Sequence, residues 1–259
     1  MKIGIFDSGI GGLTVFRELI KKLPDHHYIY LGDTARLPYG TKSKKTVLEY
    51  SINNAKFLLD KGCDIIVIAC NTASSYSTLE LKKYFNIPIF NVIDAGIAGI
   101  KKKENSKVGI IGTPSTILSN SYQKRLKKKK IKKIFAKPCP IFVPIVEEGL
   151  IKNKYADKII SENIKNFKKI NLDYLILGCT HYPFLKKIIK KNIGENVEII
   201  DSAIHITKQI KQYILKNGLM NTKKNKKDIY LTDKSKYFEK VVKKLFPSIK
   251  LTIKLVDIR

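Results

Sequence analysis

Two cysteines stand out because each follows an apolar run and is itself followed within two residues by a threonine. Cys70 follows the run Asp64–Ala69, and Cys179 follows Tyr174–Gly178. Such runs are typical of strands buried in a parallel sheet, and the residues after each cysteine favour a helix start. Backbone N–H groups and the positive end of a helix stabilise a thiolate there and lower the thiol pKa. The pattern therefore predicts two reactive thiols.

The residues beside these thiols favour binding of a small anion. Asn71, Thr72 and Thr180 supply amide, hydroxyl and backbone donors that suit a carboxylate. His181 lies two residues after Cys179 and either tunes that thiol or is a hydrogen-bonded polar residue without a catalytic role. Cys63 precedes a strand and Cys139 lies between two prolines, so we expect both to be structural.

A pair of thiols is compatible with several kinds of chemistry. A zinc site needs three or four ligands, and only His181 offers itself as a third. Disulfide redox chemistry favours cysteines that are close in sequence, and nucleophilic catalysis needs only one thiol with a base. Two acid/base groups on opposite faces of one carbon suit inversion of configuration. This last use accounts for the symmetric placement of the two thiols.

Strands alternate with helices along the chain, which predicts an α/β fold with parallel sheets. A faint repeat is also present: Lys2–Asp7 resembles Lys107–Gly112, and Asp64–Cys70 resembles Asp173–Cys179, at offsets of 105 and 109 residues. In open α/β sheets, ligands bind at the carboxyl ends of the strands. Two facing copies of such a unit would bring both cysteines to one cleft.

The composition is that of a globular protein, with 259 residues of which 44% are hydrophobic. The net charge is +28, but only four of the 50 basic residues are arginine. Because nucleic-acid readers rely on arginine, we attribute the lysine excess to AT-rich coding sequence and do not expect a nucleic-acid partner. The segment Lys124–Lys133 has eight basic residues in ten, and we expect a solvated surface there. A basic nucleic-acid-binding protein that uses this segment is the alternative from a different class, and steep salt dependence of binding would support it.

Several other features are absent from the sequence. No apolar run approaches the ~18 residues of a membrane span, and no secretory signal is present. Four cysteines without CxxC spacing predict reduced thiols and a cytoplasmic location. The glycine-rich segment Asp7–Gly12 fits neither common nucleotide-binding motif, and we find no cofactor motif.

Five short strings together resemble the glutamate racemases, cofactor-independent enzymes of the aspartate/glutamate racemase superfamily. In family order, the strings are Phe6–Gly12, Asp33–Gly40, Ala69–Ser74, Val143–Gly149 and Gly178–Pro183. The resemblance implies two pseudo-symmetric, doubly wound parallel-sheet domains with the active site in the cleft between them. The first domain would comprise residues 1–95 plus 208–259, and the second residues 96–207.

The resemblance also implies a reaction and its partners. The reaction would be two-base racemisation of L-glutamate and D-glutamate without cofactor or metal, supplying D-glutamate for peptidoglycan. The partner would be this small-molecule substrate, with no membrane, and the chain would form a homodimer. Racemisation of aspartate, or a related reaction of the superfamily, stays open as an alternative.

The resemblance assigns roles to particular residues. Cys70 would take the α-proton from D-glutamate and Cys179 from L-glutamate, with Asp7 assisting Cys70, His181 assisting Cys179, and Glu147 as a further helper. The residues expected to bind the substrate are Asp7, Ser8, Tyr39, Gly40, Asn71, Thr72, Thr180 and His181.

Overall fold

The computed structural model describes residues 1–101, 105–219, 225–249 and 251–258. Within these ranges ten strands form two parallel sheets, one with the strand order β10-β9-β2-β1-β3-β4 and one with the order β6-β5-β7-β8. The strands are β1 (Lys2–Asp7), β2 (His27–Gly32), β3 (Ile65–Ile68), β4 (Ile89–Asn91), β5 (Lys107–Gly112), β6 (Lys133–Pro138), β7 (Tyr174–Gly178), β8 (Glu198–Ile200), β9 (Lys227–Leu231) and β10 (Thr252–Leu255). The predicted α/β fold with two parallel sheets is confirmed.

Helices connect the strands, as parallel pairing requires. They are α1 (Leu13–Lys22), α2 (Lys44–Asp60), α3 (Asn71–Tyr84), α4 (Val92–Ala98), α5 (Pro114–Leu118), α6 (Ser121–Lys128), α7 (Phe142–Glu147), α8 (Lys154–Ile170), α9 (Lys186–Ile193), α10 (Ser202–Lys216) and α11 (Lys236–Leu245). Short 3₁₀ turns lie at Thr34–Arg36, Tyr39–Thr41, Leu150–Lys152 and Tyr182–Leu185. We call β1–β4, β9, β10, α1–α3 and α11, with their loops, the Cys70 half, and residues 107–200 the Cys179 half.

The two sheets have the same core topology. β1 pairs with β2 and β3, and β5 pairs with β6 and β7 in the same way. The register pairs Phe6 with Ile68 and Gly112 with Gly178. Continuing each register beyond the strand ends aligns Cys70 with Ser8 and Cys179 with Thr113. The repeat seen in the sequence is thus a structural repeat, and both cysteines lie at equivalent carboxyl ends.

Burial explains why these segments form central strands. Every residue of β3 and β7 is buried, so both strands are covered on both faces and need a continuous apolar sequence. Helix α1 is amphipathic and buries Leu13, Phe16 and Leu19 against the sheet. The rigid sheets fix the positions of the loops at their carboxyl ends.

Some predicted boundaries differ from the observed ones. The helix predicted from Ser74 begins at Asn71, because the Cys70 side chain caps it. The helix predicted over Phe184–Lys191 is divided into the 3₁₀ turn Tyr182–Leu185 and α9. Both limits of the predicted domain division, at 95/96 and 207/208, fall inside α4 and α10, which pack against each other. The division itself stays a prediction.

Two surface predictions can be compared with the structure. In the segment Lys124–Lys133, which runs from within α6 to the first residue of β6, six lysines are exposed, which agrees with a solvated surface. Among the helices in the described ranges, none is long and apolar enough to cross a membrane.

Candidate active site

The carboxyl ends of the two sheets meet at a small cavity that both Cys70 and Cys179 line. Its volume of about 20 Å³ leaves room for little more than one water molecule. The predicted residues that line it are Ser8, Tyr39, Gly40, Cys70, Asn71, Thr72, Cys179, Thr180 and His181, and the residues not predicted are Leu37, Pro38, Thr113 and Val143. Asp7 and Glu147 do not line it, but each is hydrogen-bonded to a residue that does.

Cys70 is the N-cap residue of α3. Its Sγ accepts a hydrogen bond from the Ala73 N–H at 3.5 Å and donates to Ser8 Oγ at 3.8 Å. Burial, reinforced by the negative charge of Asp7, raises the pKa of the Cys70 thiol to about 12. The expectation of a lowered pKa was wrong for Cys70, because loss of solvation outweighs the helix N-terminus. Cys70 is therefore held as a neutral thiol at neutral pH.

Asp7 is fully buried near Cys70, and its carboxylate has hydrogen-bond partners in both halves. Its Oδ2 accepts the N–H groups of Gly9 and Gly12, both at 3.0 Å, and its Oδ1 accepts the Thr180 hydroxyl at 3.1 Å. Burial raises the Asp7 pKa, although His181 and these hydrogen bonds oppose the shift. Glycine is needed at position 12 because a Cβ there would lie 2.3 Å from the Asp7 Cβ.

Cys179 has a different neighbour. Its Sγ lies 3.6 Å from His181 Nδ1, and the other ring nitrogen of His181 is hydrogen-bonded to Glu147. Burial alone would lower the pKa of His181, but hydrogen bonds and charges from Cys179 and Glu147 outweigh it and raise the pKa well above its usual range. The chain after Cys179 forms a 3₁₀ turn, not the expected α-helix. The two thiols thus have unlike surroundings: the negative charge of Asp7 acts on Cys70, whereas the imidazole of His181 is hydrogen-bonded to Cys179.

Asn71 lies in the cavity wall, and its side-chain amide has one unpaired donor. Its Oδ1 accepts a hydrogen bond from the Tyr122 hydroxyl at 2.7 Å, which fixes the amide orientation. Its Nδ2 is buried and has no hydrogen-bond partner in the described part of the chain. Buried polar atoms are nearly always paired, so this donor is a candidate for contact with a ligand.

Three threonine hydroxyls form a cluster between the two halves. Thr72 Oγ1 lies 3.0 Å from Thr113 Oγ1 and 3.3 Å from Thr116 Oγ1, and the last two lie 2.9 Å apart. Our sequence reasoning missed Thr113. The repeat contained the signal, because Thr113 follows Gly112 as Ser8 follows Asp7.

Tyr39 belongs to a loop that covers the cavity, Leu37–Lys42, which we call the covering loop. The Tyr39 hydroxyl donates to the buried carboxylate of Asp33 and accepts from Asn54 Nδ2 at 3.0 Å. Arg36 Nε bonds both carboxylate oxygens of Asp33, at 2.9 and 2.7 Å. These contacts anchor the covering loop to the Cys70 half.

Cys63 and Cys139 are buried and free, and neither lines the cavity. Within the described ranges, no three histidine, cysteine, aspartate or glutamate side chains are grouped as metal ligands. Of the four cysteines, only Cys70 and Cys179 line the cavity.

The family model for Asp/Glu/hydantoin racemases matches residues 8–210, and the chain belongs to this family. The chain is 46% identical to the glutamate racemase of Aquifex pyrophilus over 94% of its own length and 93% of that protein. Its fold matches the crystal structure of a glutamate racemase isoform from Bacillus anthracis with a TM-score of 0.92, 34% identity, and coverage of 98% of this chain and 97% of that one. Glutamate racemase from Francisella tularensis, solved in complex with D-glutamate, also has a TM-score of 0.92, at 36% identity over 99% of this chain and 97% of that one.

Proposed function

We propose that the chain interconverts L-glutamate and D-glutamate by a two-base mechanism in which Cys70 and Cys179 are the acid/base pair. One observation carries the proposal: two cysteines at equivalent strand ends of two facing sheets line a single cavity. The similarity to curated glutamate racemases, at 46% and 44% identity over most of the chain, supports glutamate as the substrate.

In the direction from L- to D-glutamate, the Cys179 thiolate removes the α-proton and forms an S–H bond. The electron pair of the broken C–H bond is delocalised into the α-carboxylate. The Cys70 thiol then donates its proton to the opposite face of the α-carbon and becomes a thiolate. The reverse direction exchanges the two roles, and the mechanism uses neither a cofactor nor a metal.

The neighbours of the two thiols support this starting state. Cys70 has a raised pKa and is a proton donor at neutral pH. The raised pKa of His181 keeps a positive charge beside Cys179, with Glu147 holding the far side of the ring. Asp7 assists Cys70 when it acts as the base, because burial raises the pKa of the Asp7 carboxyl group and so makes it a better proton acceptor than an exposed carboxylate.

The remaining predicted residues bind the substrate. Ser8, Asn71, Thr72 and Thr180 present hydroxyl and amide groups to the cavity, and the N-terminus of α3 adds backbone N–H groups that suit a carboxylate. The unpartnered Asn71 Nδ2 would pair with a carboxylate oxygen. Tyr39, Gly40 and His181 complete the wall.

We propose further that the product serves peptidoglycan synthesis, and that the chain is a cytoplasmic homodimer. Four free thiols are compatible with a reducing compartment. Light scattering of the purified protein measures the assembly: twice the mass of 29.5 kDa supports the dimer, and a monomer contradicts it.

The reaction is tested by incubating the protein with each glutamate enantiomer and resolving the products by chiral chromatography. Cys70→Ala and Cys179→Ala should each lose racemisation in both directions, by roughly 10³-fold or more, since acid/base groups contribute 10²–10⁴-fold. Cys63→Ala is the matched control, because Cys63 is also buried and free but lies outside the cavity, and it should retain activity. Near wild-type turnover by either cavity variant would exclude the two-base scheme.

Two further arms define the reaction. In deuterated water the wild-type product should carry deuterium at the α-carbon, and a product without label would exclude proton exchange. Aspartate is measured in parallel, because the fold also resembles that of an aspartate racemase homologue from Pyrococcus horikoshii with a TM-score of 0.57 at 25% identity. Faster turnover of aspartate than of glutamate would overturn the substrate assignment.

A further inference from the structure

Ser115 connects the Cys179 half to the covering loop. It is the second residue of α5, a short helix that follows β5 and is capped by Thr113. Its hydroxyl lies 2.8 Å from the Gly40 carbonyl oxygen and 3.2 Å from the Lys42 carbonyl oxygen. Ser115 itself does not line the cavity, so it contacts the wall from behind.

The hydrogen bonds of the Ser115 hydroxyl connect the covering loop to the Cys179 half. Among the described residues of the Cys179 half, no other side chain is hydrogen-bonded to the covering loop. The opposite attachment of the loop, through Tyr39, reaches only Asp33 and Asn54 of the Cys70 half. Ser115 is therefore where the loop is joined across the cleft.

The backbone of Gly40 is pressed against the same region. A Cβ on Gly40 would lie 2.6 Å from Thr113 Cβ, so the loop and the start of α5 are in close contact. The Ser115 carbonyl oxygen also accepts a hydrogen bond from the Tyr76 hydroxyl at 3.0 Å. Tyr76 belongs to α3, the helix that Cys70 caps. Ser115 thus links the loop, α3 and the Cys179 half.

The cavity volume indicates what this link does. About 20 Å³ does not admit a molecule as large as glutamate, so the cavity wall, to which the covering loop contributes, must move when a substrate enters. A hydroxyl–carbonyl bond can break and re-form at small cost, because water replaces the partner in the open state.

We propose that Ser115 is a positioning residue that holds the covering loop closed over the bound amino acid. The inference rests on the proposed racemase function for its kinetic consequences but on geometry alone for loop closure. Ser115 acts through the Gly40 carbonyl, which fixes the Tyr39–Gly40 part of the cavity wall.

The test compares Ser115→Ala with Ser121→Ala. Ser121 is equally buried and also donates to a carbonyl across the cleft, that of Ser75 at 3.1 Å, but it does not contact the covering loop. Ser115→Ala should raise KM for both glutamate enantiomers by about tenfold, the effect of roughly one hydrogen bond, with kcat nearly unchanged. Ser121→Ala should leave KM unchanged, and Ser115→Thr, which keeps the hydroxyl, should restore it.

A second measurement needs no substrate. Alkylation of Cys70 and Cys179 by iodoacetamide, followed by mass spectrometry, reports how often the cavity opens. Ser115→Ala should be alkylated several-fold faster than the wild type and than Ser121→Ala. If the wild type fails to racemise glutamate, the proposed function falls, while this arm still decides the role of Ser115.

The proposal is overturned if Ser115→Ala matches the wild type in KM and alkylation, or if Ser121→Ala changes both equally. If Ser115→Ala does not fold, Ser115→Cys replaces it, since a thiol of similar size is a weaker donor. It should raise KM in the same direction by a smaller factor, and an unchanged KM would also overturn the proposal.

Discussion

Thr180 and Asp7 are hydrogen-bonded across the cleft, with the Thr180 hydroxyl donating to Asp7 Oδ1 at 3.1 Å. Thr180 follows Cys179, and Asp7 lies near Cys70 at the end of β1. The bond therefore joins the immediate neighbours of the two thiols.

Asp7→Asn tests how much the buried Asp7 carboxylate lowers the free energy of unfolding. A raised carboxyl pKa means that Asp7 stabilises the fold only at low pH, and that this contribution is lost as the pH rises through its folded-state pKa. An amide can keep all three hydrogen bonds, because Thr180 Oγ1 can accept as well as donate. We expect a larger free energy of unfolding than the wild type at neutral pH, with the difference shrinking in acid.

Urea denaturation of the variant and the wild type, at neutral and at acidic pH, measures this difference in the free energy of unfolding. In the racemisation assay the same variant should lose about 10²-fold or more, since the acid/base group is gone. A variant that is less stable than the wild type at neutral pH would contradict the account of Asp7.

Glu147→Gln tests whether the Glu147 charge sustains the raised pKa of His181. The negative charge of Glu147 helps to raise the His181 pKa, so its removal lowers that pKa. The alkaline fall of kcat/KM should move to lower pH, with roughly tenfold lower activity at neutral pH. Both directions must fall equally, because the two enantiomers have equal free energies and their equilibrium constant is one.

The control is Glu148→Gln, which removes the same charge from an exposed neighbour. Full pH profiles of both variants check the prediction. Identical profiles for the two would mean that Glu147 has no special role.

Gly11→Ala tests the close approach of the two halves. A Cβ on Gly11 would lie 2.4 Å from Thr180 Oγ1 and 2.7 Å from His181 Nδ1, so the cleft must widen or the ring must turn. We expect kcat/KM to fall by about 10²-fold, since displacement of a catalytic group by about 1 Å can cost that much.

Gly96→Ala is the matched change, because its Cβ would meet Tyr122 Oη at 3.4 Å, an ordinary contact, within α4. It should keep activity and gain slightly in thermal stability from helix propensity. Equal activity of the two variants would contradict the importance of the Gly11 contact.

Substitution of the exposed lysines 124, 127, 128, 130, 132 and 133 by glutamine tests the polyanion alternative. We expect unchanged racemisation and the loss of any salt-sensitive binding to DNA, because these lysines are exposed and do not line the cavity. Filter binding at low and physiological salt measures the second effect. Loss of racemisation in a folded variant would contradict the separation of the two surfaces.

The central part of the fold was predictable because its strands are buried on both faces. The apolar runs before Cys70 and Cys179 are β3 and β7, and their register relative to β1 and β5 reproduces the sequence repeat. The same repeat could have revealed Thr113. Family strings supplied the remaining cavity residues that were predicted.

What was missed depends on contacts that are distant in sequence. β6 is a half-exposed edge strand of mixed charged and apolar residues, and β9 is recognisable mainly from its pairing with β2. The raised pKa of Cys70 depends on complete burial and on Asp7, which is 63 positions away in the sequence. The role proposed for Ser115 requires knowing that α5 meets the covering loop.

The different surroundings of the two sulfur atoms affect the free protein between turnovers as well as the reaction itself. In the proposed mechanism, each conversion leaves the free protein with its thiolate on the other cysteine from the one that carried it at the start. Because the charge of Asp7 acts on Cys70 and His181 is hydrogen-bonded to Cys179, these two empty forms would differ in energy. The protein would have to relax between them before the same enantiomer could react again. At high substrate concentration this recovery of the unliganded protein, rather than the breaking of the C–H bond, would limit the throughput.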